Sequence, residues 1–207
     1  MVKSIAVIMD YENVLRMGRK IFQPHAPMRE CLIDPYRYGT QIAQVKNAQK
    51  ESGETEDVKL ARIEVYRGLP DPRDNPRGYR ANELQKQIWT TGHNGCVNVT
   101  LRPLKLEKET GTWREKGVDV LCALALVRAA RSGDYDVVIL ASRDTDLAPA
   151  LDEANSLKSE RTKVEAVKWY DPAVKFTNGQ IKTDFRLWTI GMRKSEYKAC
   201  LDTTDYR

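Results

Sequence analysis

The chain has 207 residues, of which 41% are hydrophobic and 30% charged, and a formal net charge of +5 at pH 7. This length and balance predict one well-packed globular core rather than two independent domains. No apolar run approaches the roughly 18 residues that a membrane-spanning helix needs. The first residues lack the length and cleavage site of a secretory signal, so we expect a soluble, cytoplasmic protein with no membrane partner.

The basic charge and the scattered cysteines limit the possible partners and cofactors. A sequence pI near 9.0 modestly favours polyanionic partners. The four cysteines show no C-x-x-C spacing, and only His25 and His93 could join them around zinc. We therefore expect reduced thiols that pack as small hydrophobic side chains, and no zinc site.

Five apolar runs predict strands, and each of the four segments between them contains a predicted helix. In chain order the predicted strands cover residues 5–9, 58–66, 96–101, 136–141 and 163–169. The predicted helices cover residues 35–51, 79–91, 117–134 and 146–157. The third helix, GVDVLCALALVRAARSGD, is apolar enough that we expect it to be largely buried. The proline-rich segment 66–80 predicts an irregular loop.

The alternation of strands and helices predicts an α/β fold in three layers, with a mainly parallel central sheet and helices on both faces. The first and fourth runs, IAVIM and VVILA, are continuously apolar, which is typical of central parallel strands. Residues 171–207 contain fewer apolar side chains. We interpret them as a short C-terminal extension that packs on the domain through Phe185, Leu187 and Trp188.

Aspartates follow the two most apolar strands directly. Asp10 ends the first, and the stretch SRDTD places Asp144 and Asp146 after the fourth. In open parallel sheets, ligands gather outside the carboxyl ends of the strands. If the two strands are neighbours, these side chains converge, and Asp119 in the first turn of the third helix could face the same edge.

A cluster of four carboxylates would predict a bound cation, because like charges repel one another unless a cation or protons intervene. Oxygen ligands select hard ions such as Mg²⁺, and the chemistry that follows is metal-assisted phosphoryl transfer. Taken singly, each residue also has an ordinary structural explanation. Asp10 and Asn13 could form a turn, Asp119 could complement a helix dipole, and Asp144 could cap a helix.

The joint pattern favours a functional site, because capping one helix does not explain both Asp144 and Asp146. Basic and aromatic side chains near the predicted site are candidates for gripping phosphates and stacking bases. These are Arg16, Arg19, Lys20, Arg67, Arg73, Arg77 and Arg80, with Tyr11, Tyr79 and Trp113. We expect Glu12 to point away from the site if the strand continues past Asp10.

Three motifs together, IMDYENV, KGVDVLCAL and GDYDVVILASRDTDLAPAL, resemble the NYN domain, a branch of the PIN-like nucleases. The resemblance covers roughly residues 3–169 and predicts an NYN domain over residues 1–170, followed by the extension 171–207. It implies a metal-dependent ribonuclease, more specifically an endoribonuclease, that acts on single-stranded or structured RNA with Mg²⁺ or Mn²⁺.

Carried over residue by residue, the resemblance assigns roles to the motif positions. It implies that Asp10, Asp119, Asp144 and Asp146 are catalytic metal ligands, the last either directly or through water. Asn13 would support a metal-bound water or the phosphate. Lys116 resembles a lysine that neutralises a substrate phosphate, although a plain surface lysine is an equal alternative. Arg143 stands where many members have glycine and would add a substrate-binding charge.

Other functions stay open at this point. A non-catalytic RNA-binding adaptor could retain the fold and a structural ion. Toprim enzymes also carry Asp-x-Asp after a parallel strand, but they open with a glutamate in place of Asp10. Phosphatases of the haloacid dehalogenase type fit less well, because their second aspartate would fall at Glu12.

Overall fold

A six-stranded parallel sheet forms the centre of the protein. The computed structural model describes residues 2–49, 56–107 and 110–206. Its strands are β1 Lys3–Asp10, β2 Val58–Leu69, β3 Val97–Pro103, β4 Lys105–Glu107, β5 Thr112–Arg114, β6 Val137–Ala141, β7 Lys163–Trp169 and β8 Trp188–Met192. The sheet order is β3-β2-β1-β6-β7-β8, and β4 and β5 form a separate antiparallel pair. The five predicted strands are therefore confirmed, and β1 lies beside β6.

Helices cover both faces of the sheet, which confirms the predicted three-layer fold. They are α1 Tyr11–Phe22, α2 Pro35–Ala48, α3 Pro76–Thr90, α4 Val118–Ser132, α5 Ala148–Leu157 and α6 Lys194–Cys200. One core lies between the sheet and α1, α2, α3 and α6. The other lies between the sheet and α4 and α5. Alternate residues of β1 enter opposite cores, so the strand is apolar throughout.

Helix α1 was not among the predicted helices. Its buried residues are Tyr11, Val14, Leu15, Gly18, Ile21 and Phe22, a spacing that forms one apolar stripe of a helix. Its polar face carries the charged residues that give the segment a loop-like composition. The predicted irregular segment 66–80 is also shorter than expected. Strand β2 continues to Leu69, and α3 begins at Pro76, where Asn75 caps it.

Helix α4 is less buried than we expected from its composition. Val120 and Leu124 are each 55% exposed. Only one side of α4 faces the sheet and α5, because the helix lies in an outer layer of the fold. The prediction of a largely buried helix is therefore wrong for its outer face.

The C-terminal residues add an edge strand to the sheet. Strand β8 pairs parallel with β7, and α6 contacts α2. Leu187 is buried and Phe185 packs on the core, but Trp188 is 36% exposed, contrary to the expectation that it packs inward. Across the described ranges, no helix is long and apolar enough to cross a membrane.

Candidate active site at the carboxyl edge of the sheet

Asp10 lies at the point where the central strand β1 becomes helix α1. Its Oδ1 accepts a hydrogen bond of 3.2 Å from the backbone N–H of Asn13, so the carboxylate caps α1. Its Oδ2 accepts a bond of 3.2 Å from the hydroxyl of Ser142, which follows β6. Asp10 thus has the capping role that its ordinary structural explanation predicts, and it is also buried at the end of a central strand.

The loop after β6 places Asp144 beside Asp10. Besides bonding Asp10, Ser142 Oγ accepts a 3.1 Å hydrogen bond from the backbone N–H of Asp144. Asp144 Oδ1 accepts a bond of 3.0 Å from the backbone N–H of Asp146, and Asp144 thereby caps a short 3-10 helix, Thr145–Leu147. The charge of Asp144 raises the pKa of Asp10. Ser142 therefore links the Asp10 carboxylate to the backbone of Asp144, and the two charges are close enough to interact.

Asn13 ties the first turn of α1 to the same loop. Its Oδ1 accepts a 2.9 Å hydrogen bond from the backbone N–H of Arg143. This bond fixes the position of the backbone between Ser142 and Asp144. In this structure Asn13 therefore acts on the carboxylates by holding their loop in place.

Asp10 ionises less readily than an ordinary aspartate. Burial is the largest cause, and the charges of Asp144 and Glu12 add to it, so the pKa of Asp10 is raised to about 6. The two hydrogen bonds to its oxygens oppose this shift. A bound cation would stabilise the ionised form of such a carboxylate.

Two glutamates that the sequence analysis did not assign to the site, Glu12 and Glu115, also lie at the carboxyl edge of the sheet. Glu12 lies in the first turn of α1 and forms ion pairs with Arg67 at 3.0 Å and Arg16 at 3.4 Å. The half-buried Glu115 accepts a 2.5 Å bond from the backbone N–H of Gly68. Burial and the charges of Glu12 and Asp10 raise the pKa of Glu115. We expected Glu12 to point away only if the strand continued past Asp10, and this condition is not met, because α1 begins at Tyr11.

Asp119 and Lys116 lie at the start of α4 and are both exposed. The helix begins after Gly117, whose φ of +80° favours glycine. Burial is the main cause that raises the pKa of Cys122, and the charges of Asp10, Asp119 and Glu115 contribute. The start of α4 therefore lies near the carboxylates of Asp10 and Glu115. Asp146 is exposed and connects to the group through its backbone bond to Asp144.

Three side chains that we predicted to contact substrate, Arg143, Arg67 and Tyr11, instead make contacts within the protein. The Arg143 guanidinium donates from Nη2 to the backbone carbonyls of Phe176 at 2.9 Å and Gly179 at 3.4 Å. Arg67 is buried and lies over the ring of Tyr11 at 4.5 Å. Tyr11 is fully buried, so it cannot stack on a base. In contrast, Arg73, Arg77 and Arg80 are exposed.

The family model of the NYN domain matches residues 4–174. The chain belongs to the NYN domain family. This membership gives it a PIN-like nuclease fold and favours a nuclease that acts on RNA over the Toprim and phosphatase alternatives. No curated protein matches this NYN domain.

A solved structure shares the fold of this NYN domain. It is a protein of unknown function from Vibrio parahaemolyticus, with a TM-score of 0.51 and 18% sequence identity. The alignment covers 93% of this chain and 94% of the Vibrio protein. At this identity the likeness establishes the fold alone.

The side chains at the carboxyl edge supply oxygen donors of the type that hard divalent cations prefer, but they do not form a metal-binding group. Within the described ranges, no three His, Cys, Asp or Glu side chains are close enough together to hold a metal ion. The carboxylates at this edge, Asp10, Asp144, Asp119 and Glu115, nevertheless provide the oxygen atoms that Mg²⁺ and Mn²⁺ prefer. The predicted four-aspartate ligand set therefore stays a prediction.

Proposed function

We propose that this NYN domain is a ribonuclease that depends on Mg²⁺ or Mn²⁺ and hydrolyses RNA phosphodiester bonds at the carboxyl edge of its sheet. The observation that carries the proposal is Asp10. A buried carboxylate with a pKa of about 6 ends the central strand, next to a second carboxylate, Asp144, that raises this pKa. Carboxylates whose pKa is raised by burial and by a neighbouring charge are concentrated at functional sites.

The proposed ligands are Asp10 and Asp144, with Asp119 and Asp146 completing the set as the family resemblance implies. Glu115 is an additional candidate, because its carboxylate lies near Asp10. When bound, the ion would polarise the phosphodiester and lower the pKa of a coordinated water. In the hydrolysis, water forms the new bond to phosphorus, and the departing ribose oxygen accepts a proton.

The remaining residues of the proposed site position the carboxylates or contact the phosphates of the substrate. Asn13 and Ser142 hold the loop that carries Asp144, through bonds to the backbone N–H groups of Arg143 and Asp144. Exposed Lys116, next to the start of α4, is the proposed contact to a substrate phosphate. Exposed Arg77 and Arg80 in the first turns of α3 are further proposed phosphate contacts, whereas exposed Arg73 is already paired with Asp71 at 2.8 Å.

The decisive variant is Asp144→Asn, which keeps the size of the side chain and an oxygen that can still cap the 3-10 helix. We expect it to lower cleavage of a labelled single-stranded RNA by at least about a hundredfold, as removal of a charge-stabilising group does in other enzymes. EDTA should abolish cleavage, and Mn²⁺ should restore it. The assay is gel analysis of 5′-labelled RNA.

Asp134→Asn is the matched control, because Asp134 is exposed and lies just before β6, at the opposite end of that strand. It should cut RNA at the parental rate. Equal cleavage by Asp144→Asn and its parent would contradict the assigned site.

A non-catalytic RNA-binding adaptor is the second candidate. The observation that favours it is that the carboxylates in the described part of the chain are not gathered into a metal-binding group. An adaptor would bind RNA tightly with no turnover in either Mg²⁺ or Mn²⁺, whereas the nuclease would cleave it.

A further inference from the structure

A cavity of about 290 Å³ opens at the amino-terminal edge of the sheet, opposite the carboxylates. It lies where the last turns of α2 and α5 meet the first residues of β7 and β8. We call it the basal groove. Its volume is near the roughly 300 Å³ at the small end of ligand pockets, so it suits one small ligand.

The charge of the basal groove is strongly positive. Four basic side chains line it, Lys46, Lys158, Lys163 and Arg186, with one acidic side chain, Glu165. Glu165 is occupied by Lys46, whose Nζ lies 2.8 Å from Oε1 and 3.0 Å from Oε2, both side chains being buried. The acid is thus neutralised within the protein and would not repel an anion.

The cationic excess is larger than the adjacent helix ends require. Helices α2 and α5 both end at the groove, and each presents a negative partial charge of about half a unit. Beyond the Lys46–Glu165 pair, Lys158 and Arg186 contribute two positive charges, so an excess of about one persists over the helix ends. Across the residues that the structure covers, neither Lys158 nor Arg186 has a carboxylate within ion-pair distance.

An aromatic surface lies beside these cations. Trp188, the first residue of β8, lines the groove and is 36% exposed, and Phe185 lines it as well. An accessible indole next to basic side chains is the combination that proteins use to stack a base while contacting its phosphate. Binding of an inorganic anion by charge alone would not require an aromatic ring beside the basic side chains.

We propose that the basal groove binds a phosphorylated nucleoside, with the phosphate near Lys158 and Arg186 and the base stacked on Trp188. The ligand could be a free nucleotide or one nucleotide of an RNA strand, since both present the same chemistry. This binding is independent of cleavage at the carboxyl edge, because it uses none of the carboxylates there.

The test follows the indole N–H signal of Trp188 in the ¹H–¹⁵N spectrum of the full chain, with EDTA present so that no metal-dependent cleavage occurs. The variant Trp188→Phe identifies the signal. We expect AMP to shift it in a saturable way. We expect the double variant Lys158→Ala/Arg186→Ala to weaken this binding by at least about tenfold, because charged contacts to phosphate are lost.

Lys198→Ala is the matched control, since Lys198 is exposed on α6, which packs near the opposite end of α2. It should bind AMP as the parent does. A saturable shift with AMP supports a free nucleotide as ligand, whereas a shift with oligoadenylate alone supports an RNA strand. Equal shifts with inorganic phosphate or triglutamate, or no shift with any probe, would overturn the proposal. Loss of RNA cleavage in Asp144→Asn would leave it unaffected.

Discussion

At the scale of single residues, Asp10 carries a charge that the fold has largely withdrawn from water. Burial and two neighbouring carboxylates raise its pKa from 3.8 to about 6. Between these values the folded protein binds more protons than the unfolded chain. The free energy of unfolding therefore falls as the pH rises from 4 to 6, and it stays lower above pH 6.

Asp10→Asn should consequently stabilise the protein at neutral pH. The amide oxygen can still cap α1, and the amide N–H can reach Ser142, while the buried charge is gone. We expect the free energy of unfolding to rise by about 2 to 3 kcal/mol at pH 7 and to change little at pH 4. Urea denaturation at both pH values measures this difference.

Asp134→Asn, at an exposed position, is the control and should leave the free energy of unfolding unchanged at both pH 7 and pH 4. If Asp10→Asn destabilised the protein equally at pH 7 and pH 4, the raised pKa of Asp10 would be refuted. The RNA cleavage activity of Asp10→Asn should be lost even though the fold becomes more stable.

Part of this residue-level arrangement was predictable from the sequence. Asp10 and Asp144 could be placed because each directly follows an apolar strand. Glu115 could not, because it precedes α4 in a loop whose path depends on the hairpin of β4 and β5. Ser142 carried a weak signal, since a serine after a strand is common in turns.

At the scale of elements, α1 positions the site by packing closely on two aromatic side chains. A Cβ added at Gly18 would lie 2.7 Å from Tyr197 Cε2 and 3.0 Å from Trp169 Nε1. Trp169 Nε1 also donates a 2.9 Å hydrogen bond to the Val14 carbonyl. The helix that starts at Asp10 is thus held against β7 and α6 by a contact that has no room for a methyl group.

Gly18→Ala should therefore force α1 outward. We expect a loss of about 1 to 3 kcal/mol in the free energy of unfolding, typical of overpacked cores, together with lower RNA cleavage. Thermal unfolding followed by circular dichroism gives the first quantity. Gly191→Ala, whose added Cβ would be 3.4 Å from its nearest neighbour, should cost much less. Similar losses of unfolding free energy in Gly18→Ala and Gly191→Ala would show that the close contact at Gly18 does not determine the stability.

The elements themselves were largely predictable, because apolar periodicity identifies buried strands. Helix α1 was missed although its apolar stripe was present, since the predicted strand was allowed to end in a polar loop. Strand β8 was missed because it has only five residues and lies in a segment that we interpreted as an extension outside the sheet. The strand order itself followed from packing that no local pattern encodes.

At the scale of the whole molecule, ion binding and folding are linked. An ion that binds only the folded state raises stability by about 2.7 kcal/mol when its concentration is a hundred times its dissociation constant. Protonation of Asp10 would compete with such an ion below pH 6, because its pKa is about 6. The stabilising effect of the ion should therefore depend on pH.

We expect Mn²⁺ to raise the melting temperature at pH 7.5, and the increase to become much smaller at pH 5. Differential scanning calorimetry with and without Mn²⁺ measures both values. Asp134→Asn should retain the full effect at pH 7.5, while Asp10→Asn should lose most of it. An increase that is the same at both pH values, or is retained in Asp10→Asn, would contradict the proposed ion site.

The central place of β1 in the sheet has a consequence for how the protein is made. Ser142 and Asp10, which bond each other across the site, are 132 residues apart in the chain. During synthesis, β1 emerges first but must wait for β2 and then β6 before both of its edges are paired. Such distant parallel pairings fold slowly and leave apolar strands exposed meanwhile. We therefore expect the nascent chain to depend on chaperones until β6 has left the ribosome, with the carboxyl edge among the last parts to form.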